Sequence, residues 1–397
     1  MDEIYKLTDK ELSDVNNLLI KHSKISDKDL CFCGSGVYFS DCCEDKPNFW
    51  IPDDYVKSLI GFARSKNWKV TDVPFLVGSG SFEDYYIESH DLCARPDCGN
   101  KTTCNSHIYG RRHIEKYLEG TVCKIHNPYS ISDDYFSEVG TKKEITFKIF
   151  CEDCDNNVFS NIDNPDHDIN NVKNTFLHLL RTQSYQYQFV RQDLALSHQL
   201  ILGIKGVVET ERNKSIGKMD TIFNLDGFLA NNIRYKYQSE LRDKLWDLHQ
   251  TEAVLRKIPH IHTRELDVSQ TLFASGIINP SHDLLKNKII INKEASLFYY
   301  TVPSERKKVL VTIASFDDEY GDMIDQFVNA TDYAFKKYFN HLFTKCSLPL
   351  SIILPDSFEV TNKMISKVEK KNLLRKKSWP KKPSDLDSRM IFARFLK

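Results

Sequence analysis

The feature that most constrains this chain is the spacing of its cysteines. Eight of its eleven cysteines form close pairs before residue 155. The opening stretch MDEIYKLTDKELSD has no basic segment followed by an apolar one, and no run of about eighteen apolar residues occurs, so we expect a cytoplasmic protein without a membrane span. In a reducing compartment, clustered cysteines favour metal ligation over disulfides, and zinc is the usual structural metal. The sequence therefore predicts two structural zinc sites, one from Cys31, Cys33, Cys42 and Cys43 and one from Cys93, Cys98, Cys151 and Cys154.

Length and charge limit the function classes. A chain of 397 residues is long enough for two or three compact domains. It carries 54 basic and 55 acidic side chains, so the chain as a whole has no attraction to nucleic acid or to an anionic membrane. Any such contact must come from a local patch.

The first cluster reads C-x-C-G-S-G-x-x-F-x-x-C-C. Gly34 and Gly36 permit the sharp turn that lets two neighbouring thiolates reach one ion, and Phe39 can pack on the resulting knuckle. These residues resemble the SEC-C zinc motif, whose spacing is complete here. The resemblance implies a closed zinc knuckle that docks a protein partner. A second interpretation is a zinc staple that only holds residues 1–69 together.

The second cluster combines a C-x4-C pair with a C-x-x-C pair that opens a predicted helix. A knuckle and a helix start that share one ion are the requirement for a treble-clef zinc site. Ser106-His107-Ile108 lies between the two pairs. In a treble clef this stretch forms a β-hairpin turn, and a histidine on it is placed beside the start of the helix. HNH endonucleases share this layout, with the hairpin histidine as general base and a metal that polarises the scissile phosphate.

The region from Cys93 to about residue 190 resembles a family of uncharacterised bacterial HNH-like proteins. The matching elements are CARPDC, Ser106-His107-Ile108 and Phe150-Cys151-Glu-Asp-Cys154-Asp155, followed by Phe159 and Asp163 and, downstream, by Leu180-Arg181 and Tyr185. In this layout His107 is the candidate base. Asp155, assisted by Asp163, can hold a Mg²⁺ or Mn²⁺ ion through carboxylate oxygens. Arg111 and Arg112 follow the candidate base closely and can face a phosphate. Cys154 stands where the family has His, and Asp155 stands where HNH nucleases have the helix His.

Other ligand sets stay open in the same stretch. Cys104 and His113 are nearby, and Cys123 with His126 has a spacing that suits a metal. The treble clef also permits an interpretation without chemistry, in which His107 is a hydrogen-bonded core residue.

Two functions follow from these patterns. The first is an HNH-like metal-dependent nuclease that acts on nucleic acid phosphodiesters; the pairing of the two motifs resembles that of bacterial conflict or phage-defence proteins. The second is a non-catalytic zinc-binding adaptor that docks a protein through the SEC-C knuckle.

Residue periodicity predicts an α+β fold. Helical spacing occurs over residues 172–201, 222–248 and 320–343, and the first two of these helices form a predicted hairpin. Short β-branched runs predict an antiparallel sheet with the strands His260–Leu266, Thr271–Ile277, Lys288–Asn292, Leu297–Val302, Val309–Phe316 and Leu348–Leu354. We therefore expect four parts: N-terminal helices with the SEC-C knuckle (1–69), the treble-clef module (70–170), the helical hairpin (171–255) and the antiparallel sheet with covering helices and a basic tail (256–397).

Overall fold

The computed structural model describes part of the chain. The described residues are 37–42, 92–101, 104–126, 136–142, 146–188, 190–191, 225–249, 258–278, 282–283, 288–289, 297–336, 339 and 347–357. Within them the chain combines helices with antiparallel strands, which confirms the predicted α+β class. Two compact units are present, one of 1–92, 129–133 and 188–236 and one of 93–128, 134–187 and 237–397. The four-part division stays a prediction.

The described residues contain the helices α1 (Phe39–Cys42), α2 (Arg111–Leu118), α3 (Glu152–Asp163), α4 (172–188), α5 (Leu225–His249) and α6 (Gly321–Asn329), with a further helical stretch at 332–336. The predicted helices over 172–201, 222–248 and 320–343 agree with these elements where they are described; residues 192–201 and 222–224 lie outside the described part of the chain. The side-chain amide of Gln183 in α4 donates to the backbone oxygen of Gln238 in α5 at 2.9 Å, which ties the two helices together.

Seven strands form one antiparallel sheet. The strands among the described residues are β1 (Ser106–His107), β2 (Val122–His126), β3 (Phe136–Gly140), β4 (Thr146–Phe147), β5 (His260–Asp267), β6 (Phe273–Ile278), β7 (His282–Asp283), β8 (Lys288–Ile289), β9 (Leu297–Glu305), β10 (Lys308–Ser315) and β11 (Ser347–Pro355). The large sheet has the order β3-β2-β11-β6-β9-β10-β5, while β1 pairs with β4 and β7 with β8. Five of the predicted C-terminal strands therefore form in one sheet, as β5, β6, β9, β10 and β11, and β2 and β3 extend this sheet through β11.

Burial along the central strands explains why this sheet is stable. Every residue from Leu297 to Pro303 in β9 and from Val309 to Ser315 in β10 is buried, so both faces of these strands are covered. Helix α6 packs against β5 and β10. Arg264 of β5 donates to the backbone oxygens of Phe327 and Ala330 at 2.9 and 2.8 Å, which satisfies carbonyls at the end of α6 that have no partner inside the helix.

The strand β1 connects to the sheet through the residues that follow it. Tyr109 is buried, its ring centroid lies 5.0 Å from that of Phe273 in β6, and its hydroxyl donates to the backbone oxygen of Ala274. Gly110 then begins α2 against the end of α3: a Cβ at this position would lie 2.6 Å from the Cα of Asp163. A side chain here would therefore push the two helices apart, and glycine allows the close approach.

Candidate metal centre

Four cysteines gather at one point in the second unit. The sulfurs of Cys93, Cys98, Cys151 and Cys154 all lie within 4.8 Å of one another. The Sγ of Cys98 is 3.8 Å from that of Cys151 and 3.7 Å from that of Cys154. A tetrahedral zinc ion with Zn–S bonds of about 2.3 Å requires sulfurs about 3.8 Å apart. The donor set and its spacing therefore fit a zinc ion held by four thiolates.

Two local structures bring the cysteines together. In the first, the backbone N–H of Cys93 donates to Asn100 at 3.0 Å and that of Cys98 donates to Arg95 at 3.3 Å. This turn passes through Asp97, whose φ of 59° is in the left-handed region; aspartate is one of the residue types that adopt it most readily. In the second, Cys151 is the N-cap of α3, so Cys154 is in its first turn.

The small ladder β1–β4 holds the two halves side by side. Ser106 pairs with Phe147 and His107 with Thr146, while the N–H of Ala94 donates to the backbone oxygen of Ile149 at 2.8 Å. The knuckle and the helix start are therefore fixed to each other by backbone hydrogen bonds on both sides of a long excursion.

Polar groups around the sulfurs suit thiolates. Arg95 Nη1 lies 3.8 Å from the sulfur of Cys154, and Asn100 Nδ2 lies 3.8 Å from the sulfur of Cys151. Burial raises the pKa of the Cys154 thiol to about 11 and also raises the pKa of Cys93. Neutral thiols of Cys93 and Cys154 are thus favoured without a cation, whereas the effect of burial on Cys151 is outweighed by hydrogen bonds, led by the backbone of Cys154, which lower the pKa of Cys151. A bound metal is what would hold all four residues as thiolates.

The predicted base, His107, lies in β1 and is half-buried. Its Nε2 is 3.2 Å from the backbone oxygen of Thr141, so this nitrogen carries the proton and donates. Burial lowers the pKa of His107, which favours the neutral ring. Thr141 in turn donates from Oγ1 to Glu115 at 2.5 Å, and Glu115 pairs with Arg111 at 3.1 Å. Arg111 therefore lies at one end of a chain of contacts that fixes His107.

The predicted metal carboxylates, Asp155 and Asp163, share one buried cation. The guanidinium of Arg181 in α4 is 1% exposed and binds Asp163 through two hydrogen bonds of 2.6 and 3.0 Å. It also lies 3.6 Å from a carboxylate oxygen of Asp155 and 4.4 Å above the ring of Phe159. Burial raises the pKa of Asp155, against the opposite influence of Arg181.

The remaining candidates from the sequence fall in different places. Arg112 is exposed on α2. Cys104 is close to the quartet but contacts Phe150 O at 3.2 Å and Ser106 Oγ at 3.4 Å. Cys123 is buried in β2, within the large sheet, and His126 ends the same strand. Of the first cluster only Cys42 is described, at the end of α1; Cys31, Cys33 and Cys43 lie outside the described residues.

A cavity of about 290 Å³ opens next to the quartet. Its lining combines knuckle residues with the start of α3 and the end of α5, and three of its side chains are the exposed carboxylates of Asp97, Asp153 and Asp247. Arg95 and the buried Trp246 also line it, with the guanidinium 5.7 Å from the Trp246 ring centroid. Sequence patterns gave no signal for this cavity because its walls come from three distant segments.

Comparisons with known proteins identify no relative: no protein-family model, curated protein or solved structure matches the chain. Among the described residues, no helix is both long enough and apolar enough to cross a membrane. The four-cysteine cluster is thus the feature that defines this protein, as a candidate zinc-binding α+β protein.

Proposed function

We propose that Cys93, Cys98, Cys151 and Cys154 form a structural treble-clef zinc site and that the chain is a non-catalytic zinc-binding adaptor. One observation supports this proposal: four sulfurs lie within 4.8 Å of one another, which is a donor set that can fill all four positions of a tetrahedral zinc ion. Catalytic zinc sites retain an open position for water or substrate, whereas closed four-cysteine sites are structural. Zinc bound here would organise the knuckle and the start of α3 and would supply no reactive water.

The surroundings of the nuclease candidates support the same conclusion. A hydrolytic Mg²⁺ site needs carboxylate oxygens directed at an ion and at solvent. Asp163 instead receives both Nη atoms of Arg181, and Asp155 faces the same guanidinium. The guanidinium of Arg181 would therefore compete with a catalytic ion for the carboxylate oxygens of Asp155 and Asp163.

Charge next to the metal favours a basic partner. Zinc with four thiolates carries a formal charge of minus two. The three cavity carboxylates and the single guanidinium of Arg95 bring the local formal charge to about minus four. A phosphodiester would be repelled here, whereas lysine or arginine side chains of a protein segment would be attracted.

The N-terminal SEC-C knuckle is the second docking element of this proposal. Its support is the complete motif at Cys31, Cys33, Cys42 and Cys43. We place the protein in the cytoplasm, where these thiols stay reduced and available for zinc.

The experiment that tests the non-catalytic role is a cleavage assay. Plasmid DNA is incubated with the full chain and Mg²⁺ or Mn²⁺, with wild type beside His107→Ala. We expect no cleavage by either protein. Cleavage by wild type that His107→Ala abolishes would replace the adaptor with the HNH-like nuclease, acting with His107, Asp155 and Asp163.

A binding assay tests the docking surface. A fluorescent oligolysine peptide and a DNA duplex are titrated with wild type and with the double variant Asp97→Lys, Asp247→Lys. We expect wild type to prefer the peptide and the double variant to bind it about tenfold more weakly, since exposed charge pairs are worth up to about 1 kcal/mol each. The matched control is Asp325→Lys on α6, an exposed aspartate outside the cavity. Equal affinity in all three proteins would refute the docking surface.

A further inference from the structure

Three histidines from separate segments meet on the other side of α3. His113 belongs to α2, His167 to the turn after α3, and His178 to α4. The His167 ring centroid lies 4.7 Å from that of His113 and 5.3 Å from that of His178. His113 and His178 are 1% and 4% exposed. None of the three contributes to the four-cysteine centre.

Hydrogen bonds fix where the protons of these rings are. His167 Nδ1 lies 2.7 Å from the backbone oxygen of Asn164 and must donate to it. The lone pair of its Nε2 is then directed at His178, whose Nε2 is 3.2 Å away and donates. The ring of His113 donates to the backbone oxygen of Pro303, while its buried Nε2 has no partner among the described residues.

His113 Nε2 is one of several buried side-chain atoms without a partner among the described residues, and it differs from the others in lying on a histidine ring that contacts another histidine. A buried nitrogen without a partner costs about 1–3 kcal/mol, and nothing in the aromatic contacts of His113 with Tyr117 and Phe273 requires it. Metal-ligating histidines typically donate one ring N–H to a backbone carbonyl and present the other nitrogen to the ion. His113 and His167 both show this pattern.

We propose that His113, His167 and His178 form a second metal site that takes a divalent transition ion such as Zn²⁺ through their Nε2 atoms. Neutral imidazole is a preferred ligand for such ions. Two Nε2 atoms on a tetrahedral zinc, with bonds of about 2.0–2.1 Å, lie about 3.4 Å apart; those of His167 and His178 are already 3.2 Å apart. The ion takes the position of the shared proton, and that proton moves from Nε2 to Nδ1 of His178, which gives the other neutral tautomer.

The third ligand has to turn toward this pair. Among the described residues, the four cysteines are the group whose possible ligand atoms all lie within 4.8 Å of one another. The ring nitrogens of the three histidines are therefore not all this close together. Metal binding thus requires a shift of the His113 side chain that brings its unpaired Nε2 to the ion while its other ring nitrogen continues to donate to Pro303. The half-buried His167 turn provides the way in for the ion.

The charges that face the cluster come from several elements. Lys116 in α2 and Arg181 in α4 disfavour a cation, while Asp163 of α3 and Asp166 and Asp168 of the turn favour one. Burial depresses the pKa of all three rings, to about 3 for His113. The rings are therefore neutral at pH 7, which is the form that binds metal.

Zinc content of the full chain tests the site. Protein purified from zinc-supplemented medium is analysed by inductively coupled plasma mass spectrometry as wild type, His167→Gln and His178→Gln. We expect each variant to hold one zinc per chain fewer than wild type, while the half-buried control His249→Gln retains the wild-type content. Wild-type zinc content in His167→Gln, with a native circular dichroism spectrum, would overturn the proposal.

Zinc X-ray absorption gives a readout that does not depend on whether a variant folds. Wild-type protein should require nitrogen ligands at about 2.0–2.1 Å beside the sulfur shell near 2.3 Å. The nitrogen contribution should fall in His167→Gln and remain in His249→Gln. A spectrum of wild type that sulfur alone describes would refute the histidine site directly.

Discussion

Replacing Arg181 by methionine tests whether the two aspartates beside α3 are structural. The substitution removes a guanidinium that is 1% exposed and keeps an unbranched side chain of similar length over the Phe159 ring. What is lost is therefore mainly the pair of hydrogen bonds to Asp163 and the charge that faces Asp155.

The size of the loss follows from these contacts. Hydrogen bonds to charged groups contribute about 1.5–3 kcal/mol each. Asp163 is 36% exposed, so water can solvate it once the guanidinium is gone, and the lower end of the range applies to both bonds. We expect the free energy of unfolding to fall by about 3 kcal/mol, which corresponds to a decrease in Tm of roughly 6–12 °C for a domain of this size.

Urea denaturation of the full chain, followed by circular dichroism, measures this change. Arg112→Met, an exposed position on α2, is the matched control and should change the unfolding free energy by less than about 0.5 kcal/mol. The double variant with Asp163→Asn should show a coupling energy above about 1 kcal/mol. A loss below about 1 kcal/mol in Arg181→Met, with no coupling, would refute a structural role for this ion pair.

Three further predictions concern the metal, a close contact and pH. Removing zinc with an excess of a strong chelator should abolish cooperative unfolding of the second unit, because structural zinc contributes about 10–16 kcal/mol to the folding free energy of small zinc domains. Cys98→Ser should lose one zinc per chain and Cys104→Ser none. An unchanged melting curve after chelation would contradict this prediction. Gly110→Ala should lower the unfolding free energy by about 1–3 kcal/mol because its Cβ would lie 2.6 Å from the Cα of Asp163. The control in the same denaturation experiment is Gly120→Ala, where the nearest atoms would be 4.0 Å from the Cβ. Equal stability of the two variants would contradict the expected clash. Burial raises the pKa of Tyr300 to about 12, so the folded state retains a proton that the unfolded chain loses near pH 10. This contribution to the free energy of unfolding is complete below pH 10 and falls as pH rises toward 12. Tyr300→Phe should flatten that fall, and an unchanged dependence of the unfolding free energy on pH would contradict this prediction.

Most of the fold could be predicted because its elements have clear periodicity. β5 and β10 agree with the predicted strands to within about one residue, since alternating or continuous apolar residues bounded by turn formers describe a strand by local information alone. Of the predicted strand Lys288–Asn292, Lys288–Ile289 form β8, and residues 290–292 lie outside the described part of the chain.

The pairing between distant segments could not be predicted. β2 and β3 extend the C-terminal sheet through the contact of β2 with β11, which is more than two hundred residues away in the chain. Strand pairing depends on which edges meet in three dimensions, and the sequence of β2 contains no signal for β11.

The four-cysteine site was predictable, and its neighbours were not. Two cysteine pairs with ligand spacing are enough to predict one quartet. Arg181 was part of a predicted helix, but nothing in the sequence indicated that its guanidinium would bind Asp163. Nor did the sequence indicate that His167 and His178 would be in contact, because two histidines eleven residues apart do not have the spacing of a known ligand motif.

The excursion between the two halves of the metal site gives zinc an additional role in folding. Cys98 and Cys151 are 53 positions apart, and β2 and β3 lie between them. An ion that joins these residues closes that loop when the site forms, and closing a loop of this length costs about 4 kcal/mol of chain entropy, which zinc binding has to offset. Since loop-closure entropy changes only with the logarithm of length, added residues between β2 and β3 would change this cost little.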